Sequence, residues 1–115
     1  MIIKNKTKKN IVNKNTVMCN EIISKFLGLM FSKKQNKALI LKFENEKSIS
    51  LHMFFVFHPI DVIFLDKDNI VVDIKETFRP FTFYKSRENA MYAIEIPQGN
   101  IKKTKTEIGD KIEFG

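Results

Sequence analysis

The sequence predicts a β-dominated α+β fold, a compact small barrel or sandwich of about six to eight short strands with two short helices. Three observations carry that expectation. The chain has 115 residues, the size of one domain. Surface scaling gives about 6,500 Å² folded against roughly 19,600 Å² unfolded, so a real core can form. The apolar fraction is 43%, with eleven Phe and sixteen Ile, which excludes a mainly disordered chain. Finally, the apolar residues fall into short runs bounded by Asn, Asp, Gly and Pro, and helical spacing appears only twice.

The elements follow in order. Ile2-Ile3 and Asn10-Ile11-Val12 read as two short strands joined by the turn Lys6-Thr7-Lys8-Lys9, and Thr16 to Cys19 is extended and β-branched. Asn20 suits an N-cap with Glu21 in the first turn. Ile22, Ile23, Phe26 and Leu27 then share one face, and Gly28 suits the stop of a two-turn helix. Ala38 to Phe43 is a strand and Glu44 to Ser48 a polar loop. Leu51 to Phe57 is a strand apolar on both faces, broken by Pro59. Ile60 to Leu65, the turn Asp66-Lys67-Asp68-Asn69 and Ile70 to Ile74 form a hairpin. Glu76 to Asn89 is a loop with at most a short strand at 81–84. Tyr92, Ile94 and Ile96 mark a half-buried strand ending at Pro97. A brief helix over 101–106 with Asn100 as cap, then a strand from Lys111 to Phe114, complete one domain over 1–115: a basic N-terminal hairpin at 1–19 and a core at 20–115.

The net charge is +7, and it is uneven: residues 1–50 carry eleven Lys against three acids, residues 51–115 nine basic residues against ten acids. A basic half of this kind suits phosphates, so nucleic acid is a candidate partner. Eighteen of the twenty basic residues are Lys, however, and Lys, Ile and Asn fill 44 positions, the bias of an AT-rich coding sequence. Phosphate recognition favours the planar fork of Arg, so nucleic acid is the alternative rather than the favoured partner. No apolar run is long enough to span a membrane. The N-terminal residues lack the apolar core of a secretory signal, and a cytoplasmic location is expected.

Several stretches together resemble a known family. Phe26-Leu27-Gly28-Leu29-Met30-Phe31, Leu51-His52-Met53, Pro59 to Asp66, Val71-Val72-Asp73-Ile74, Ala90 to Gly99 and Ile108 to Ile112 are similar, in order and spacing, to the archaeal and bacterial domain-of-unknown-function family numbered 192. The resemblance runs from about residue 16 to the end. It implies a small, compact, β-rich domain whose biochemical role is not established. Relatives often show Trp-Met-Lys-Asn-Thr where this chain has His52-Met53-Phe54-Phe55-Val56, which counts against carrying any catalytic role over by analogy.

Candidate chemistry is sparse. His52 and His58, six residues apart, would stand about 20 Å apart on an extended strand, too far to share one ion. His58 and Asp61 are closer, and a carboxylate beside an imidazole can orient a general base; Asp61 next to a strand more commonly anchors a turn through backbone amides. Asp66-Lys67-Asp68 lacks the glycine and terminal glutamate of a calcium loop. The single cysteine, Cys19, sits in an apolar strand and reads as a buried, inert thiol. No phosphate-binding glycine loop or nucleophile elbow is present. The stretch 78–87 holds both arginines, Arg79 and Arg87, beside Phe78, Phe81, Phe83 and Tyr84. Guanidinium groups among aromatic faces can grip an anionic ligand, unless the three Phe fold into the core.

The expectation is therefore a binding or accessory module without catalytic residues, metal or cofactor. Its ligand- or partner-binding residues would be His58, Asp61, Arg79, Tyr84 and Lys85. The partner would be a small anionic ligand or a protein, and a homo-oligomer sealing Phe54 and Val56 is compatible with this. An enzyme using His58 and Asp61 is the least favoured reading.

Overall fold

The computed structural model describes residues 1–20, 36–52 and 58–115, the side chains of Asn20 and His52 apart. The expected helix after Asn20, residues 53–57 of the expected strand, and the oligomer contact at Phe54 and Val56 lie outside the described residues. Three sheets are seen. The first, in the order β10-β1-β2, joins β1 (Ile3–Asn5), β2 (Asn10–Asn13) and β10 (Ile112–Glu113), so both ends of the chain meet. The second, in the order β3-β4-β9-β6-β7, holds β3 (Thr16–Asn20), β4 (Ala38–Lys47), β6 (Ile60–Leu65), β7 (Val71–Phe78) and β9 (Ala90–Pro97). The third pairs β5 (Ser50–His52) with β8 (Phe83–Lys85). One short helix, α1 (Asn100–Thr104), is described.

The β-dominated character is as expected, but the architecture differs in two respects. The described residues form ten strands rather than six to eight, and the sheets are open, without a closed barrel. The extra strand length comes from polar residues. Ladder hydrogen bonds do not require apolar side chains, so β4 runs past Phe43 through exposed Glu44 to Lys47, and β7 runs on through Lys75 to Phe78.

The five-stranded sheet is buried on both faces. Every residue of β6 is buried, as an inner strand between two apolar layers requires. One face carries Cys19, Leu39, Leu41, Val62, Phe64 and Ala93, packed with Leu51 and Phe78. The opposite face carries Ile40, Ile63, Leu65, Ile94 and Ile96, packed with Ile3, Ile101 and Ile112. β3 runs parallel to β4, in register from Thr16 opposite Ala38 to Asn20 opposite Lys42.

The hairpin turn at Asp66 forms as the sequence predicts. Asp66 Oδ1 accepts the N–H groups of Asp68 and Ile70 at 2.8 and 3.0 Å, and Asn69 takes the left-handed conformation with φ 63°. The cap of α1 does not. Asn100 lies inside the helix and its amide donates to the Val12 carbonyl at 2.8 Å, while the N-cap is Gly99 at φ 91°. Asp61, on β6, supplies the missing acceptor: its Oδ2 takes the N–H groups of Gly99 at 3.0 Å and Ile101 at 3.1 Å.

Candidate functional site

The residues expected to bind fall into two groups. Arg79, Tyr84 and Lys85 belong to one loop-and-strand unit. The antiparallel register Ile60↔Phe78 brings His58, two residues before Ile60, to the same end of the β6–β7 pair as Arg79. Asp61 is not part of that unit. It is buried toward α1 and spends its carboxylate on three backbone amides: those of Gly99 and Ile101, and that of Thr77 at 3.0 Å. His58 Nδ1 lies 3.3 Å from the Pro59 carbonyl oxygen.

The loop between β7 and β8 turns sharply at Phe81, whose φ of 63° is rare for a side chain of that size, and Thr82 Oγ1 ties the turn by donating to the Arg79 carbonyl at 2.6 Å. The three phenylalanines do not all fold inward. Phe78 is buried, whereas Phe81 and Phe83 are 66% and 70% exposed and flanked by exposed Arg79 and Lys85. The alternation of β8 accounts for Phe83 and Lys85. Tyr84 points into the core against Phe64 and Phe78, at ring-centroid distances of 5.8 and 6.4 Å, so its neighbours on the strand point out.

Tyr84 is held by a polar bracket that local sequence does not reveal. Asp73, completely buried on β7, accepts the Tyr84 hydroxyl at 2.7 Å, the Arg87 backbone N–H at 2.9 Å, Arg87 Nε at 3.1 Å and Nη2 at 2.7 Å, and the Ile74 N–H at 2.8 Å. Burial opposes the Asp73 charge, but the hydrogen bonds from Arg87, Tyr84 and Ile74 outweigh it and hold the carboxyl below the usual range. Burial and the Asp73 carboxylate together push the Tyr84 hydroxyl up. The Lys75 ammonium lies 5.3 Å from the centre of the Tyr84 ring, a cation–π contact. Ser86 completes the support, accepting the Ile49 N–H at 2.8 Å and donating to the Glu88 carbonyl at 2.8 Å. The exposed aromatic and cationic groups therefore stand on a pinned base.

A second carboxyl lies on the same sheet face. Half-buried Glu95 of β9 stands opposite Leu39 on one side and Val62 on the other, both buried. No hydrogen bond or ion pair reaches its carboxylate among the described residues. Burial pushes its pKa up to about 7. Cys19, two strands away on the same face, is pushed up to about 11 by burial and then by the Glu95 charge, in keeping with an inert thiol. Alternation with Tyr92, Ile94 and Ile96 suggests that Glu95 faces water; the only sequence signal against that is the apolar content of its own face, Met91 and Ala93.

The basic N-terminal residues gather around β2 and α1. The Asn10 amide donates to the Thr104 carbonyl at 2.9 Å and so joins the two elements. Lys4, Lys9, Lys14, Lys102, Lys103 and Lys105 have no ion-pair partner among the described residues. Two shallow grooves meet at Ile11, one bordered by Lys4, Lys6 and Lys9, the other by Lys14 and Lys103.

Comparison with known proteins is consistent with this architecture. Residues 3–114 match the model of DUF192, described as "Uncharacterized ACR". The chain is similar to the UPF0127 protein of Thermococcus sibiricus, 41% identical over 96% of this chain and 72% of that one, and to that of Thermococcus gammatolerans, 41% identical over 99% and 74%. A solved structure of a protein of unknown function from Novosphingobium aromaticivorans superposes with a TM-score of 0.83 at 19% identity, covering 99% of this chain and 84% of the other, which establishes the likeness of fold. The chain belongs to the DUF192 family.

Proposed function

We propose that the protein is a non-enzymatic binding module that recognises a small anionic ligand or an acidic protein segment through residues 79–85. Arg79 and Lys85 meet the anionic groups, and Phe81 and Phe83 take the apolar part. His58, at the same end of the β6–β7 pair, borders the surface. Tyr84 supports it from below, and Asp61 has a structural part in holding α1. The observation that carries the reading is the exposure of two phenylalanines, 66% and 70%, between two exposed cations on a base fixed by Asp73. A rigid base matters because preorganised side chains lose less entropy on binding.

The test is native mass spectrometry of the protein purified gently from its own host, with an Arg79→Ala/Phe83→Ala variant beside it. The reading expects extra mass on the wild type that disappears on denaturation and is missing from the variant. A bare chain, or the same extra mass on both, contradicts it. A second reading, nucleic-acid binding, is favoured by the six lysines around β2 and α1 that are unpaired among the described residues. It expects an oligonucleotide increment that the variant keeps and that moderate salt strips away.

A further inference from the structure

We infer that the outer face of the β10-β1-β2 sheet docks on an anionic lipid bilayer, with Ile2 and Ile11 entering the interface and the surrounding lysines meeting the lipid phosphates. The surface is independent of residues 79–85, and every residue that forms it is described.

Alternation along the strands sets this face. Ile3, Val12 and Ile112 are buried against the five-stranded sheet. Their neighbours Ile2, Lys4, Ile11 and Glu113 are therefore turned outward and are exposed. Lys4 stands opposite Ile11 on one side and Glu113 on the other. Two shallow grooves adjoin along Lys4 and Glu113: one is bordered by Lys6, Lys9 and Ile11, the other by Met1, Ile2 and Phe114. Met1, Ile2 and Ile11 are 42%, 43% and 45% exposed. Single exposed aliphatic side chains are ordinary on a protein surface, but three along adjoining grooves form a patch.

The charge around the patch is of one sign. Lys4 and Lys9 border Ile11 on one side, Lys14 and Lys103 on the other, and none of the four has an ion-pair partner among the described residues. Glu113 is already engaged by Lys6 at 3.5 Å. A second copy of the chain laid face to face would bring these lysines together, so the face fits an anionic partner. A bilayer uses both halves of the patch. The aliphatic side chains gain by entering the acyl boundary, while lysine stems lie along apolar surface and carry their ammonium groups to the headgroups. A nucleic acid would engage the lysines and leave the aliphatic groups without a role, since bases stack on aromatic rings. Phe114, the aromatic residue at the groove, packs edge-on against Tyr92 with ring centres 5.3 Å apart, and both arginines lie in the 79–87 stretch.

The experiment sediments the full chain with phosphatidylcholine vesicles containing about one-quarter phosphatidylglycerol. Pure phosphatidylcholine vesicles and a short DNA duplex serve as comparators. Binding to the anionic vesicles should be about tenfold tighter than to the neutral ones, and about 1 M salt should release the protein. Ile2→Ser/Ile11→Ser, which leaves the charge unchanged, should weaken vesicle binding about tenfold and leave duplex binding as it was. Lys4→Gln/Lys9→Gln should weaken vesicle binding by about the same factor. Arg79→Ala/Phe83→Ala, altered on the other surface, should bind vesicles as the wild type does. No preference for anionic vesicles, or tighter binding to the duplex at equal phosphate concentration, would overturn the inference. So would full vesicle binding by the isoleucine variant, or its loss in the Arg79/Phe83 variant. Should the isoleucine variant fail to fold, the lysine variant decides, and unchanged vesicle binding by it contradicts the docking face.

Discussion

Asp73 and Glu95 stand on the same face of the same sheet, in adjacent rows, and their surroundings push them in opposite directions. Asp73 pairs across Phe64, Glu95 across Val62. Both lie among apolar residues, so burial opposes ionisation of each. What separates them is donors. The chain turns back after β8 to deliver a hydroxyl, a guanidinium and a backbone amide to Asp73, whereas nothing described reaches Glu95. One carboxyl is held below the usual range and the other rises to about 7. Burial alone therefore does not decide the role of an acid in a sheet. A fully satisfied acid holds the structure together, and one without protein donors among the described residues gives up its charge at a higher pH.

The largest effect that separates the two is expected from Asp73→Ala. It strips acceptors from Tyr84, Arg87 and Ile74 at once and should cost about 4 kcal/mol in urea unfolding. A loss below about 1 kcal/mol would show that the bracket does not hold the 79–85 unit. Glu95→Gln should act in the opposite direction and more weakly. Because the folded pKa of Glu95 lies above its unfolded value, the native state binds the extra proton between about pH 4.5 and 7, and stability falls as pH rises through that window. The variant should thus be more stable than the wild type by about 2 kcal/mol at pH 8, less than the full shift because the amide also lacks partners. The advantage should vanish below about pH 4.5. Asp73 has the contrary sign: its contribution is present above the unfolded pKa and is lost as the pH falls through its lowered folded value.

The asymmetry between the two acids also shows how far the sequence can be read. The hairpin at Asp66 and the strand at Ile60 to Leu65 are legible because local chemistry determines them, an Asx turn and a continuous apolar run, whereas the short strand expected at 81–84 lies at 83–85 and the loop expected from 76 begins only after β7 ends at Phe78. The cap of α1 is not legible, since Asp61 reaches it from a different strand, forty residues away in sequence. The open sheets escape because periodicity reports which face of a strand is apolar and says nothing of which strand lies beside it. In the candidate surface, the composition of 78–87 points to Arg79, Tyr84 and Lys85, but the inward Phe78 and outward Phe81 and Phe83 can be told apart only once the turn at Phe81 is seen. Asp73 and Glu95 each look like an ordinary polar position of a strand. Their meaning comes from long-range pairing, which brings Arg87 to one and no donor among the described residues to the other.

The central claim, that two acids on one sheet face are set apart by their donors, is tested most directly by following the side-chain carboxyl carbons of Asp73 and Glu95 by NMR from pH 3 to pH 9. The account predicts Glu95 titrating near 7 while Asp73 stays ionised to below the usual aspartate range. Two ordinary titrations near pH 4 would contradict it.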